Sequence, residues 1–134
     1  MAPGMLERGY GRTILIGSLH AEGPSAPGMI ANGVTKAALT AYARFAADEL
    51  TGPGVTINVV RPGYATETSS HLPPAIPPIL AALTPGGRTA VPDDIAGVIT
   101  MLTRDEAAFL NGACLPVSGG PNQPVSFRRL QSVN

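Results

Sequence analysis

Few side chains in this 134-residue sequence have both the type and the neighbours to do chemistry. Its two histidines, His20 and His71, have no cysteine, carboxylate or second histidine at ligand spacing, so no metal site is expected. Both read as loop or surface histidines, with one distinction. His20 stands two residues past Ser18, near the C-terminal end of an apolar run, and open parallel sheets place their ligands outside such ends. Taken alone, Ser18 is an ordinary serine after a strand-like run. The single cysteine, Cys114, cannot form an internal disulfide.

Composition narrows the function classes. Lys plus Arg balance Asp plus Glu at nine each, and 13% of residues are charged, so there is no basic field to draw in nucleic acid or a membrane surface. No run approaches the ~18 uninterrupted apolar residues of a transmembrane helix, and the segment from Met1 to Arg8 lacks the apolar stretch of a secretory signal. A cytoplasmic, reducing setting is expected. A chain of this length suffices for one domain, which would bury roughly two-thirds of its unfolded surface.

The elements that must position any site alternate between strands and helices. Thr13-Ile14-Leu15-Ile16-Gly17 is a short apolar run after the turn Gly9-Tyr10-Gly11; it reads as a strand buried on both faces and so as a central strand. Residues 34 to 50 carry Val34, Ala37, Ala38, Ala41, Phe45 and Ala46 at helical spacing, and Gly52-Pro53-Gly54 stops that helix. Val55 to Val60, rich in β-branched residues and ended by Arg61-Pro62-Gly63, reads as a second strand. From Ser69 to Gly87, Pro73, Pro74, Pro77 and Pro78 exclude one regular helix. Pro92-Asp93-Asp94 opens a further helix with an apolar stripe of Ile95, Ile99 and Leu102. Gly112 to Val117 is a third strand, with Pro116 assigning it to an edge. The order strand, helix, strand, helix, strand predicts a parallel sheet with right-handed crossovers.

Four short motifs, in this order, resemble the C-terminal half of a short-chain dehydrogenase/reductase, and similarity to 3-oxoacyl-ACP reductase-like members covers residues 9 to 120. Gly11 to Ser18 is similar to the family's strand ending in the catalytic serine. Thr35-Lys36-Ala37-Ala38-Leu39 is similar to the helix start that holds the catalytic lysine. Val55 to Gly63 resembles the strand and Pro-Gly turn that lie against the nicotinamide. Gly87-Arg88, Pro92 to Ala96, Asn111-Gly112 and Val117-Ser118-Gly119-Gly120 resemble the closing helix and strand. The resemblance implies an α/β fold, the C-terminal half of a Rossmann-type doubly wound parallel sheet, here three strands with crossover helices. It further implies a partial domain over residues 1–120 with a substrate lid at about 67–87, followed by a tail over 121–134.

The family's catalytic pair is Tyr-x-x-x-Lys, in which a phenol exchanges a proton with the substrate oxygen. Counting four back from Lys36 gives Asn32. A carboxamide can orient or polarise a carbonyl but does not titrate near neutral pH, so the usual proton step is missing. Tyr10 falls at the wrong end of the sheet and Tyr42 is turned from the Lys36 face. Tyr64, directly after Pro62-Gly63, is the one candidate substitute. The resemblance therefore implies Ser18, Asn32 and Lys36 at the catalytic positions. It places Lys36, Pro62, Gly63 and Thr66 against NAD or NADP, with Thr66 preferred over Thr68 for the nicotinamide contact. Ser118 stands where an Asp is common.

The Gly-rich strand-turn-helix that receives a dinucleotide pyrophosphate does not occur in these residues. The expectation is an NAD(P)-dependent oxidoreductase acting on a carbonyl or alcohol, as a truncated chain lacking its nucleotide-binding half and inactive by itself. The alternatives are a non-catalytic binding or scaffold subunit, favoured by Asn32, and a degenerate fragment without function. Small-molecule carbonyl or alcohol substrates, no nucleic acid and no membrane are the expected partners, together with self-association or association with a related chain.

Overall fold

A computed structural model describes residues 3–23, 28–66 and 72–120. Expectations on His71, Thr68, the first part of the lid and the tail over 121–134 lie outside these residues. In chain order the elements are helix α1 (Pro3–Glu7), strand β1 (Gly11–Ile16), a 3-10 turn (Leu19–Glu22), helix α2 (Ile30–Glu49) and strand β2 (Val55–Pro62). Helix α3 (Ile76–Leu83), helix α4 (Pro92–Leu102), a second 3-10 turn (Asp105–Ala107) and strand β3 (Cys114–Val117) complete them.

The three strands form one parallel sheet in the order β1-β2-β3. Its register pairs Gly11 with Val55 at one end and Ile16 with Val60 at the other, while Val59 pairs with Cys114 and Pro62 with Val117. Alternation along each strand then sorts side chains between two layers. Ile57 and Val59, with Leu15 and Cys114, pack on Ala43 and Ala46 of α2. Val60, with Ile14, Leu115 and Val117, packs on Leu102, Ile95, Val98 and Ile99 of α4. The sheet is thus covered on both faces, and the expected stripe of α4 is the one it buries.

Two expectations are corrected. The apolar run of β1 predicts a central strand, yet β1 pairs only with β2 among the described residues, and β2 is the central strand of the three. Residues 12 to 15 are partly buried and Ile16 is 42% exposed, because an apolar run records burial and not which neighbours provide it. α2 begins at Ile30, four residues before the expected start, and its buried positions are Thr40, Ala43 and Ala46. Val34 and Phe45, assigned to the apolar face, are 64% and 68% exposed. Small side chains permit the close approach that Val59 and Ile57 demand, and a phenyl ring would hold the helix away.

The proline-rich stretch is not one helix across its length, but eight of its residues form α3, with Pro77 in the first turn where a missing N–H costs nothing. Ahead of β3, side-chain amides join two backbone bonds to β2, from the Gly112 N–H to the Ile57 carbonyl and from the Val59 N–H to the Ala113 carbonyl, each at 2.8 Å. The buried Asn58 donates to the Leu110 carbonyl at 2.7 Å and accepts from the Ala113 N–H at 3.0 Å. Asn111 accepts from the Ile57 N–H at 2.9 Å and donates to the Thr51 hydroxyl at 2.8 Å. Gly112 between them takes φ +72°, a left-handed conformation suited to glycine. No described helix is long and apolar enough to cross a membrane.

Candidate active site

The ends of β1 and β2 converge on one side of the sheet. β1 runs out at Ile16, and Gly17 continues its pairing by donating to the Val60 carbonyl at 2.8 Å. A methyl on Gly17 would meet Val59 Cγ1 at 2.8 Å, so a side chain here would force Val59 to shift. Ser18 follows in extended conformation and caps the 3-10 turn, its Oγ accepting the His20 N–H at 3.2 Å. The same oxygen lies 3.1 Å from Nδ1 of the His20 ring. Partial burial lowers the His20 pKa from its ordinary value by disfavouring the imidazolium. The ring stands edge-on to Tyr64, centroids 6.5 Å apart at 82°.

Two other contacts fix this corner. Arg61, at the end of β2 and with its side chain only 8% exposed, forms an ion pair with Glu22 of the 3-10 turn. Gly33, in the first turns of α2, leaves room for the His20 carbonyl, which would stand 3.1 Å from a methyl placed there. His20, Glu22, Met29, Ile30, Gly33 and Val34 are among the residues lining an open cleft of about 350 Å³.

On the β2 side, Pro62 closes the strand and Gly63 donates to the Val117 carbonyl at 3.0 Å. Residues 64 to 66 are then tied to the segment before α4. The Ala90 N–H donates to the Tyr64 carbonyl at 2.8 Å, and the Thr66 N–H to the Ala90 carbonyl at 2.9 Å. The Thr66 hydroxyl is 2.9 Å from that of Thr89. Arg88 holds Asp94 through two hydrogen bonds of 2.6 and 2.8 Å, and Asp94 also accepts the Val91 N–H that opens α4. These donors, the Arg88 side chain first, keep the Asp94 carboxyl far below the ordinary carboxylate range.

Of the residues singled out in the sequence, Lys36 reaches the end of β1, where its Nζ donates to the Ile16 carbonyl at 2.7 Å, two residues before Ser18. Pro62, Gly63 and Thr66 line the end of β2. Asn32 lies exposed in the first turn of α2, where its backbone carbonyl accepts from the Thr35 hydroxyl at 3.0 Å. Tyr10 is at the opposite end of the sheet, its hydroxyl donating to the Thr103 carbonyl at 3.0 Å, and Tyr42 is exposed on α2. Tyr64 is on the site side. His20 joins Ser18 here, and its signal in the sequence is its two-residue spacing from Ser18 near a strand end. The Arg61–Glu22 pair is missed by sequence reasoning, because Arg61 reads merely as a strand terminator. No cluster of metal-ligating side chains occurs among the described residues.

The donor set suits one end of a nicotinamide dinucleotide. Lys36 has three N–H donors and gives one to Ile16, leaving donors for a ribose hydroxyl. Thr66 can present its hydroxyl to a carboxamide only by sharing it with Thr89 and Ala90. Around Ser18 and Gly63 the described residues hold no glycine-rich turn opening a helix, the arrangement that receives a pyrophosphate.

Three parallel strands layered between helices, with polar side chains gathered at the strand ends, define a Rossmann-type α/β architecture. A family model described as enoyl-(acyl carrier protein) reductase matches residues 1–122. The chain is 36% identical over 118 residues to an acetoacetyl-CoA reductase of Allochromatium vinosum, covering 87% of this chain and 48% of that protein. Among solved structures, a gluconate 5-dehydrogenase from Burkholderia cenocepacia, in complex with NADP and tartrate, superposes with a TM-score of 0.79 at 30% identity. That match covers 87% of this chain and 47% of the other. A 7α-hydroxysteroid dehydrogenase complexed with NADH and 7-oxo glycochenodeoxycholic acid gives 0.83 at 30% identity, covering 92% and 49%. The chain belongs to the short-chain dehydrogenase/reductase family of oxidoreductases, and it spans about half the length of the curated relatives it matches.

Proposed function

We propose that this chain carries the substrate and nicotinamide side of an NAD(P)-dependent oxidoreductase that interconverts a carbonyl and an alcohol. The observation that carries the reading is the convergence of Ser18, Lys36 and the Pro62-Gly63 turn at the C-terminal ends of adjacent parallel strands, where doubly wound sheets bind ligands. The nicotinamide, when bound, would exchange a hydride with the substrate carbon. Lys36 would hold the ribose, Thr66 the carboxamide, and the Pro62-Gly63 backbone would lie against the ring. Ser18 would hold the substrate oxygen. Asn32 can orient that oxygen but cannot move its proton.

Anchoring of the pyrophosphate has to come from another polypeptide segment, on the same chain or a different one. Calorimetric titration tests this. NADPH added to the 134 residues alone should give no micromolar binding, whereas addition of the glycine-rich half of a relative should restore it. Micromolar binding by the 134 residues alone would contradict the division of labour. A second reading, a non-catalytic binding or scaffold subunit, draws support from Asn32 and from Ile30, Val34, Tyr42 and Phe45 exposed along α2. Co-purification with a full-length relative, with no turnover in the complex, would favour it.

A further inference from the structure

With Asn32 unable to titrate, the proposed site needs another group that can hold a proton near the substrate oxygen. The backbone supplies one. Ser18 is extended at φ −159° and ψ 151°, and the chain then turns tightly into Leu19–Glu22, which folds the His20 ring back onto the residue two before it. Ser18 Oγ accepts the His20 N–H, so its own hydroxyl hydrogen is available to another acceptor, and Nδ1 at 3.1 Å is placed to accept it when unprotonated. We propose that His20 is the proton-holding residue of this site and acts through the Ser18 hydroxyl.

Two states follow from the geometry. With His20 neutral and its proton on Nε2, Ser18 donates to Nδ1. With His20 charged, Nδ1–H donates to a lone pair of Oγ, and the serine proton is turned outward. In the reducing direction the substrate oxygen takes the Ser18 proton, Ser18 Oγ takes the Nδ1 proton, and neutral imidazole remains. Solvent then recharges the imidazole through the open cleft that His20 lines. Oxidation of an alcohol runs these transfers in reverse.

The surroundings suit this role. The Tyr64 ring stands perpendicular to the imidazole, and Gly33 leaves room for the His20 carbonyl behind it. The charged and titratable groups on the elements packed around it are Glu22, neutralised by Arg61 of β2, then Lys36 of α2, and Tyr64 beyond the end of β2. Partial burial makes the imidazolium a readier proton donor than a free histidine. What the relay serves rests on the oxidoreductase reading; the Ser18–His20 pair itself does not.

The pair is tested without cofactor, on the whole chain, with diisopropyl fluorophosphate as probe of Ser18. Attack forms an Oγ–P bond, breaks P–F, releases fluoride and sends the hydroxyl proton to Nδ1. Mass spectrometry should find Ser18 modified at a rate that rises with pH through the range in which NMR shows His20 to titrate. His20→Asn, which keeps a polar side chain against the turn but cannot titrate, should slow modification by ~10²-fold and remove that pH profile. His20→Phe should do the same. Modification of Ser18 no faster than other serines, or an unchanged rate and profile in His20→Asn, would overturn the proposal. Failure of the oxidoreductase reading would look different: no NADPH binding or turnover in any complemented form, with the labelling profile intact.

Discussion

Gly63 and Ser118 are in backbone contact: a methyl placed on Gly63 would stand 2.7 Å from Ser118 Cα and 2.8 Å from its Cβ. The contact locks the turn after β2 to the residue after β3, and so fixes the floor on which the proposed nicotinamide would rest. Gly63→Ala has no flexible side-chain end to push aside. Overpacking of this kind typically costs about 1–3 kcal/mol. Urea unfolding of Gly63→Ala should show a lower midpoint with an unchanged slope; an unchanged midpoint would mean that the turn is free to shift.

The half-buried His20 gives stability a defined pH dependence. Its folded-state pKa is lowered, so in acid the unfolded chain takes up this proton more readily than the folded one. Stability should therefore fall as pH drops below the ordinary histidine value, and this contribution should level off once the folded form is protonated as well. His20→Asn should flatten that part of the profile. Thermal melts across mildly acidic to neutral pH would measure it, and a wild-type profile as flat as that of His20→Asn would contradict the assignment.

Association is expected from two features. β1 is bonded on one side by β2, and no described strand covers its other edge, along which Thr13 to Gly17 carry no charge. α2 adds Ile30, Val34, Tyr42 and Phe45, all more than 45% exposed. Sedimentation at micromolar concentration should show a dimer, larger species or loss to the pellet. A monodisperse 13.7 kDa monomer with cooperative unfolding would contradict this.

The strands were legible in the sequence because β-branched runs and their Gly/Pro stops are local signals. Val55 to Val60 is buried throughout, as such a run implies. Position within the sheet was not legible, since the apolar run of β1 looks the same at an edge as at the centre. Ala46 is buried as its place on the apolar face implies, but the burial of Ala43 in place of Phe45 was hidden, because periodicity shows that a helix has an apolar face without showing how near the sheet must come. Ser18 and Lys36 were readable through motif spacing. The Lys36 bond to the Ile16 carbonyl was not, and neither was the fold-back of His20, which depends on a backbone turn. Asn58 read as one strand residue among others, although its buried amide organises the loop ahead of β3.

The most direct measurement of the central claim is NADPH oxidation by this chain joined to the remaining half of the Allochromatium vinosum acetoacetyl-CoA reductase it resembles, with that relative's substrate as the probe. The joined protein should turn over slowly. Asn32→Tyr should raise the rate by ~10²–10⁴-fold, the usual contribution of a positioned general acid, and Lys36→Ala should then remove most of that gain. Equal rates with asparagine and tyrosine at position 32 would mean that the Ser18–His20 relay supplies the whole proton step; no NADPH oxidation with either would contradict the account.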